Sequence, residues 1–280
     1  MKQTLKTVLQ VALVALLCSC SKYSKLLNSK DHNAQYKKSL ELFTAEKYNK
    51  ALQLFEECNP YFLGTIREDS SAYYLATCNY KLGYFDTSSE LFEDFRRRFA
   101  RSPFIEEAEY MYAMGYYYSA PEPYRDQTYT SKAIAAINEY LARYPKSVKR
   151  EKLEGYLGEL TQKLYDKTYL NAYTYYKIGK YKSAAVSLKN AAVKYPESNH
   201  REELLFLAAK SSYLLAHKSI EKLQRDRYLN AMDDYYTFVS EYPQSKYRKE
   251  LDQLQERSKK FIASHPYSTA TEDKTQQPKP

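Results

Sequence analysis

A pattern of small, apolar and turn-forming residues, repeated five times, constrains the fold of this chain more than any other feature. In each repeat an apolar or aromatic residue follows a small residue by four positions, and another inward-facing residue follows three positions later. A turn signal closes each of the last four repeats, with Pro after the aromatic residue in three of them. The small residues are Ala51, Ser88, Ala133, Ala184 and Ala231, and the next slots hold Phe55, Phe92, Ile137, Leu188 and Tyr235, then Cys58, Phe95, Tyr140, Ala191 and Phe238.

This spacing predicts helices that pack in antiparallel pairs. Steps of four and three keep one stripe of a helix facing its partner, and a small residue lets two helices approach closely. Pro ends a helix because the residue before it leaves the α region. The Ser after each turn signal is expected to N-cap the next helix, and Gly83 and Gly179 are expected to C-cap the preceding ones. The order of slots is that of the tetratricopeptide repeat, with extra residues in the longer repeats.

We therefore predict an all-α fold, a right-handed superhelical solenoid of about five tetratricopeptide-like helix pairs with a C-terminal capping helix. Residues 1–19 are expected to form a leader, 20–30 a lysine-rich tether, and 265–280 a disordered tail. The solenoid is predicted over 31–264, with pairs near 31–60, 67–100, 103–145, 149–196 and 199–243 and the cap at 245–264.

The first twenty residues predict where the protein resides. Lys2 and Lys6 precede an apolar stretch, residues 8–17, which has the length of a signal peptide and is too short to cross a bilayer. Ser19 lies directly before Cys20, in an arrangement similar to the lipobox of bacterial lipoproteins. This predicts cleavage before Cys20, lipidation of that cysteine and attachment to a membrane. The alternative is an ordinary secretory signal peptide with an incidental cysteine.

The residues after Cys20 indicate which membrane is involved. By the sorting rules of lipoproteins, Asp at the next position implies retention in the inner membrane, whereas Ser21 stands there. No acidic run of the kind used to export lipoproteins to the cell surface follows. We therefore expect a lipid anchor in the outer membrane, with the protein on its periplasmic face.

Composition and motifs argue against an enzyme or a nucleic-acid-binding protein. The net charge of +9 is modest for 280 residues, and Lys and Glu are interspersed without a basic stripe. The chain has 32 Tyr, 6 Gly and no Trp, which is typical of helices with half-buried aromatic faces. The four His are scattered, and no phosphate-binding loop or catalytic motif is present, so we expect no catalytic site, cofactor or metal.

Two cysteines, Cys58 and Cys78, remain in the chain after Cys20. Two thiols in an oxidising compartment could form a disulfide. Both also fall at small, inward-facing helical positions, which favours buried free thiols.

Leader, anchor and helix pairs together resemble the BamD/ComL family, tetratricopeptide lipoproteins of the outer-membrane β-barrel assembly machinery, in the form typical of Bacteroidetes. The resemblance implies a non-enzymatic scaffold and substrate receptor for β-barrel insertion. The first two pairs would receive the C-terminus of an unfolded barrel protein, and later pairs would bind a BamA-like protein. The run Cys20–Leu27, the Pro-rich loop 121–127, Tyr228–Phe238 and Ser245–Tyr247 carry the resemblance.

A peptide site follows from this resemblance, because the first helix of each pair in such arrays lines the concave face. The expected peptide-binding residues of the first two pairs are Tyr36, Leu40, Phe43, Tyr73, Thr77 and Tyr80, beside Asn33. Lys37, Lys38 and Lys81 would lie near a terminal carboxylate. The alternative is that several of these side chains simply pack against the neighbouring repeat. Some family members carry an Arg for partner docking where this chain has 185–189, so Lys189 is the candidate substitute.

Two other functions remain open from the sequence. A periplasmic tetratricopeptide scaffold for cell-wall or envelope processes would share the anchor and the repeats. A SusD-like glycan-binding lipoprotein would also share them, but such proteins are much longer and rich in Trp at the sugar platform.

Overall fold

The computed structural model describes residues 22–266, and everything described in this range is helix, turn or connecting loop. The leader, Cys20 and nearly all of the predicted tail lie outside the described residues. The helices are α1 (His32–Thr44), α2 (Tyr48–Cys58), α3 (Glu68–Lys81), α4 (Phe85–Arg98), α5 (Ile105–Ser119), α6 (Thr128–Arg143), α7 (Arg150–Lys177), α8 (Tyr181–Lys194), α9 (Arg201–His217), α10 (Glu221–Glu241) and α11 (Arg248–Ser264), with a 3-10 helix at Asn59–Phe62.

These helices form two compact units. The first comprises the described residues up to Pro121 together with Asp126–Leu160, and the second comprises Glu122–Arg125 and the residues from Thr161 onward. In the first unit consecutive helices from α1 to α6 pack against each other, and in the second unit consecutive helices from α8 to α11 do the same. The predicted all-α fold of tetratricopeptide-like helix pairs is confirmed.

The small residues lie where helices cross. Ala51, Ala133 and Ala184 are fully buried, and Ala231 is 5% exposed. Ser88 occupies the same slot and donates its hydroxyl to the Ala76 carbonyl oxygen at 3.2 Å. The register of helix faces predicted from the four-and-three spacing is therefore the register observed.

Enlarging one of these crossing residues should destabilise its unit. Ala184→Phe places a ring where no side chain of that size fits, so we expect the free energy of unfolding to fall by about 1–3 kcal/mol. Chemical denaturation followed by circular dichroism measures this loss. Ala263→Phe, an Ala-to-Phe change at an exposed position of α11, is the control and should leave the midpoint unchanged.

The turns between pairs differ from the prediction in one respect. Tyr144, Tyr195 and Tyr242 leave the helical conformation directly before Pro, as expected. The Ser residues, however, are not N-caps, because each next helix begins three residues after its Ser. Their hydroxyls instead accept the N–H two residues ahead, at 3.0–3.3 Å, which forms a tight turn before the helix; the residues are Ser102, Ser147, Ser198 and Ser245.

The turns within pairs follow the predicted C-cap. Gly83 and Gly179 adopt positive φ angles of 81° and 73°, which only Gly tolerates without strain. Glu46 occupies the corresponding turn of the first pair with φ of 57°. The first pair therefore makes the same turn with a strained backbone at Glu46, and Gly avoids this strain in the later pairs.

The segment before α1 is more structured than the predicted tether. Residues 22–27 are helical, and Leu26 and Leu27 pack on the core of the first pair with Tyr23. The Tyr23 hydroxyl lies 2.9 Å from both the Lys50 carbonyl oxygen and Gln53 Oε1. Tyr23, Leu26 and Leu27, at steps of three and four, hold this segment on the first pair. Lysines adjoin these residues in the sequence, so the apolar spacing is not obvious there.

Tyrosine hydroxyls link neighbouring helices by bonding carboxylates. Tyr117 donates to Glu159 at 2.6 Å and Tyr140 to Glu106 at 3.1 Å in the first unit. In the second unit Tyr165 donates to Glu197 at 2.7 Å and Tyr235 to Asp252 at 2.6 Å. The rings pack while the hydroxyls reach acceptors, which accounts for the use of Tyr over Phe at these interfaces.

Both cysteines of the described chain are free thiols with no exposed surface. Burial raises the pKa of Cys58 to about 11 and that of Cys78 to about 12. A thiol with such a pKa is almost entirely protonated at neutral pH and is a poor nucleophile. Of the two alternatives from the sequence, the structure shows buried thiols.

Candidate peptide-binding site

Tyr36 of α1 lies between the first and second helix pairs. Its ring centroid is 6.1 Å from that of Phe55 and 5.3 Å from that of Phe62, both in edge-on contact. Its hydroxyl donates to Ser70 Oγ at 2.9 Å, and the Arg67 guanidinium lies 5.6 Å from the ring. Tyr36 is therefore half-buried and ties α1 to α3.

Leu40 and Phe43 continue the same face of α1 and pack, partly buried, on the core of the first pair. The Phe43 ring contacts those of Tyr48 and Tyr74 at centroid distances of 5.4 and 5.0 Å. Both side chains keep some exposed surface. The predicted face of α1 thus exists, but much of it is covered by aromatic rings of α2 and α3.

The predicted residues at the centre of α3 are covered by the protein itself. Tyr73 is 8% exposed and stacks on Phe104 at 4.4 Å, and burial raises its pKa to about 12. Thr77 is 2% exposed and donates its hydroxyl to the Tyr73 carbonyl oxygen at 2.7 Å. Tyr73 offers little surface to a peptide because the third pair supplies Phe104 to cover its ring, and Thr77 is itself buried.

Tyr80, at the end of α3, is partly buried. Its ring lies 5.6 Å from Phe85 and 6.3 Å from Tyr118, and burial raises the pKa of its hydroxyl above the ordinary value. Tyr118 is 48% exposed and extends the aromatic surface beside Tyr80. Sequence reasoning missed Tyr118 because it placed the site within the first two pairs alone.

The polar residues of the predicted site remain at the surface. Lys37, Lys38 and Lys81 are exposed, and Lys38 pairs with Glu41 at 2.9 Å. Asn33 is exposed and accepts a hydrogen bond from Arg67 at 2.7 Å. Tyr36, Leu40 and Phe43 share one face of α1, and the role of this face and of the nearby lysines in peptide binding stays a prediction.

The residue suggested for partner docking, Lys189, is held within the second unit. Its ammonium group lies 3.0 Å from Asp234 Oδ1, and Asp234 also accepts the Ser212 hydroxyl at 2.6 Å. Val186 and Val193 flank Lys189 on α8 and are 53% and 77% exposed. The face of α8 around Lys189 is therefore more apolar than the sequence suggested.

The part of the chain that the structure describes contains neither a metal-binding cluster nor a membrane-spanning helix. Between residues 22 and 266, His, Cys, Asp and Glu nowhere form a group of three that could hold a metal ion. Over the same described range, no helix is long and apolar enough to span a bilayer.

A family model described as an outer membrane lipoprotein, YfiO, matches the chain over residues 28–169 and 161–277. The chain belongs to this family of outer membrane lipoproteins. Because YfiO is the outer membrane lipoprotein family of BamD, the family suggested by the sequence is confirmed. The match covers the helix pairs whose repeat pattern carried part of that resemblance.

Other comparisons are less informative. No curated protein sequence matches the chain significantly. Among solved structures, the chain is similar to the TPR2AB domain of yeast Sti1 in its pHSP90 complex, at 13% identity over 81% of this chain and 98% of that chain, with a TM-score of 0.36. The fold described above rests on the helices themselves and not on that similarity.

Proposed function

We propose that this chain is anchored through Cys20 on the periplasmic face of the outer membrane. There it acts as a non-enzymatic scaffold and substrate receptor in the insertion of β-barrel proteins. Membership of the outer membrane lipoprotein family over nearly the whole described chain carries the proposal. The paired-helix fold supports it, because helical repeats of this kind present extended surfaces to other proteins.

The scaffold role assigns the second unit to a BamA-like partner. The exposed Val186 and Val193 lie seven residues apart, and therefore on the same face of α8, around the Lys189–Asp234 pair. An apolar face with a charged pair is suited to a protein partner. The family resemblance points to the same later repeats.

The receptor role assigns the C-terminus of unfolded barrel proteins to the first unit. Tyr36, Leu40, Phe43 and Tyr80 are the predicted residues that keep exposed surface there. Tyr73 and Thr77 would support this surface from beneath without touching the peptide. The exposed lysines of α1 and α3 would attract the terminal carboxylate.

Affinity purification from detergent-solubilised membranes tests the proposed function as a whole. We expect a BamA-like barrel protein to co-purify with the full-length lipidated chain. Recovery of cell-wall enzymes without a barrel protein would favour the periplasmic scaffold for envelope processes. That outcome would contradict the barrel-assembly proposal.

The receptor role has its own test. Replacing Tyr36 or Tyr80 with Ala would remove core contacts, so charge reversal at exposed lysines is the cleaner change. We expect Lys37→Glu with Lys81→Glu to weaken binding of a labelled barrel C-terminal peptide about two- to fivefold per lysine. Fluorescence anisotropy measures the affinity.

The matched control reverses two exposed lysines of α11, Lys249→Glu with Lys260→Glu, and changes the net charge equally. An equal loss of affinity in both variants would show a general effect of charge and would remove the site from α1 and α3. Unchanged affinity in both would do the same.

A further inference from the structure

An uncharged loop between α2 and α3 presents three large apolar side chains to solvent. The apolar loop comprises residues 59–66, Asn-Pro-Tyr-Phe-Leu-Gly-Thr-Ile, and contains no charged residue. Tyr61 is 61% exposed, Leu63 57% and Ile66 98%. Apolar side chains exposed together on one segment mark a surface that contacts another apolar phase or partner.

The backbone of the apolar loop is built to hold this arrangement. Phe62, within the 3-10 helix, is 3% exposed and fixes the loop to the core of the first pair. Gly64 has φ of 74°, and its N–H donates to Glu68 Oε2 at 2.8 Å. The Thr65 hydroxyl donates to the Phe62 carbonyl oxygen at 2.7 Å. Exposure of the neighbouring apolar side chains is therefore a consequence of a hydrogen-bonded turn.

The apolar loop lies beside the residues that directly precede α1. The Gln35 amide nitrogen lies 3.0–3.1 Å from the carbonyl oxygens of Leu26, Leu27 and Ser29. Gln35 also contacts His32 at 2.9 Å, and the His32 ring lies 4.5 Å from that of Tyr61. A continuous series of contacts thus joins residues 26–29 to the apolar loop.

The lipid anchor would be held beside the first half of α2, whose last residue, Cys58, leads into the apolar loop. Tyr23 is fixed on α2 by its hydroxyl contacts with Lys50 and Gln53. Tyr23 follows Cys20 by three positions, which limits the distance between their Cα atoms to about 10 Å. A lipid on Cys20 would therefore keep the first pair at the bilayer surface.

The lysines between the anchor and α1 suit a membrane surface. Residues 22–30 carry Lys22, Lys25 and Lys30 and no acidic residue. The Lys50 ammonium group lies 5.3 Å from the Tyr23 ring, beside the path to the anchor. Clustered lysines next to an anchor are attracted to anionic headgroups.

We propose that the apolar loop inserts into the headgroup region of an anionic phospholipid membrane and forms a second membrane contact beside the lipid anchor. The inference rests on the proposed anchoring at Cys20. A lipid alone is a flexible attachment, whereas a lipid and an inserted loop together fix the orientation of the first unit on the bilayer.

The absence of Trp from the chain allows a direct test. Ile66→Trp places a single reporter on the loop of the full-length lipidated protein, which is reconstituted in vesicles of phosphatidylethanolamine and phosphatidylglycerol. We expect its emission to shift to the blue and to be quenched by brominated acyl chains. Val148→Trp is the matched control, because Val148 is also β-branched and 98% exposed, but lies in the turn between α6 and α7. It should emit as a solvated Trp.

Vesicle flotation separates the two proposals. A chain that fails to float contradicts the lipid anchor and with it the proposed function. A chain that floats, yet shows the same red emission and no quenching at both Trp positions, overturns the inserted loop and leaves the anchor intact. A blue shift at residue 66 that appears only when a barrel protein is added would assign the loop to a protein interface and also overturn the inference.

A second measurement does not depend on the anchor. The full chain with Cys20→Ser should bind phosphatidylglycerol vesicles weakly, and Leu63→Asp with Ile66→Asp should lower that binding at least fivefold. Val148→Asp should leave it unchanged. Equal binding by the loop variant and its parent would contradict the inserted loop.

Discussion

Arg143→Met is expected to lower the free energy of unfolding by about 2–4 kcal/mol, although the Arg143 side chain is itself 46% exposed. Its guanidinium bonds the carboxylate of Glu109, whose side chain is only 4% exposed. The next cation, Arg96, has its Nε 3.9 Å from the same carboxylate and also bonds Glu139. Removing Arg143 therefore leaves a buried carboxylate without its close partner, which costs several kcal/mol.

Arg150→Met is the matched control for this prediction. Arg150 is 41% exposed, similar to Arg143, but its partner Glu154 is 53% exposed and 2.7 Å away. A pair of this kind contributes at most about 1 kcal/mol. The two variants remove the same kind of side chain at similar exposure, so the difference between their unfolding midpoints reports the burial of Glu109.

The double variant identifies the cause of the loss. Glu109→Leu in the Arg143→Met background removes the unpaired charge and fills its place with apolar atoms, so most of the lost stability should return. Circular dichroism in increasing urea measures all four proteins. Similar midpoints for Arg143→Met and Arg150→Met would show that the buried pair contributes no more than a surface pair.

Cys20→Ala is expected to move nearly all of the protein from the membrane fraction to the soluble periplasmic fraction. Each buried methylene of an acyl chain contributes about 0.8 kcal/mol, so two or three chains hold a protein firmly on a bilayer. The wild-type chain should incorporate labelled palmitate, and the variant should incorporate none. The inserted loop alone is too small to replace this attachment.

Cys18→Ala is the control, because the leader contains a second cysteine two residues earlier. Cleavage before Cys20 removes Cys18 with the leader, so this variant should keep both the label and the membrane location. Loss of label in Cys18→Ala but not in Cys20→Ala would place the lipid on the other cysteine. Loss in neither would contradict the lipoprotein interpretation.

The helix pairs could be predicted from the sequence because their signals are local. The spacing from Ala184 to Leu188 and Ala191 defines one face of one helix, and Tyr195 before Pro ends it. The prediction that the turn serines are N-caps is wrong. Each hydroxyl accepts the N–H two residues later within a tight turn, and the helix begins only after that turn, three residues beyond the Ser.

The candidate site was harder to predict because its exposure depends on residues far along the chain. Tyr73 has the spacing of a groove residue, but Phe104 of the next pair stacks on its ring. Spacing within one helix carries no information about such a cover. The apolar loop is visible in the sequence as a run of eight uncharged residues between two helices. Helical periodicity does not identify it, because the loop has no such periodicity.

The bonds between tyrosine hydroxyls and carboxylates bear on how a chain of similar helices avoids pairing errors. The apolar stripes of such helices resemble one another, so shape alone discriminates weakly between a correct neighbour and a shifted one. Tyr140 and Tyr235, which are only 1% and 8% exposed, each bond one particular carboxylate, Glu106 and Asp252, and a helix displaced by one pair would not meet it. A buried hydroxyl without an acceptor costs about 1–3 kcal/mol. These tyrosines thus favour the native order of helix pairing over a shifted one. The helix pairs of this protein are therefore not interchangeable.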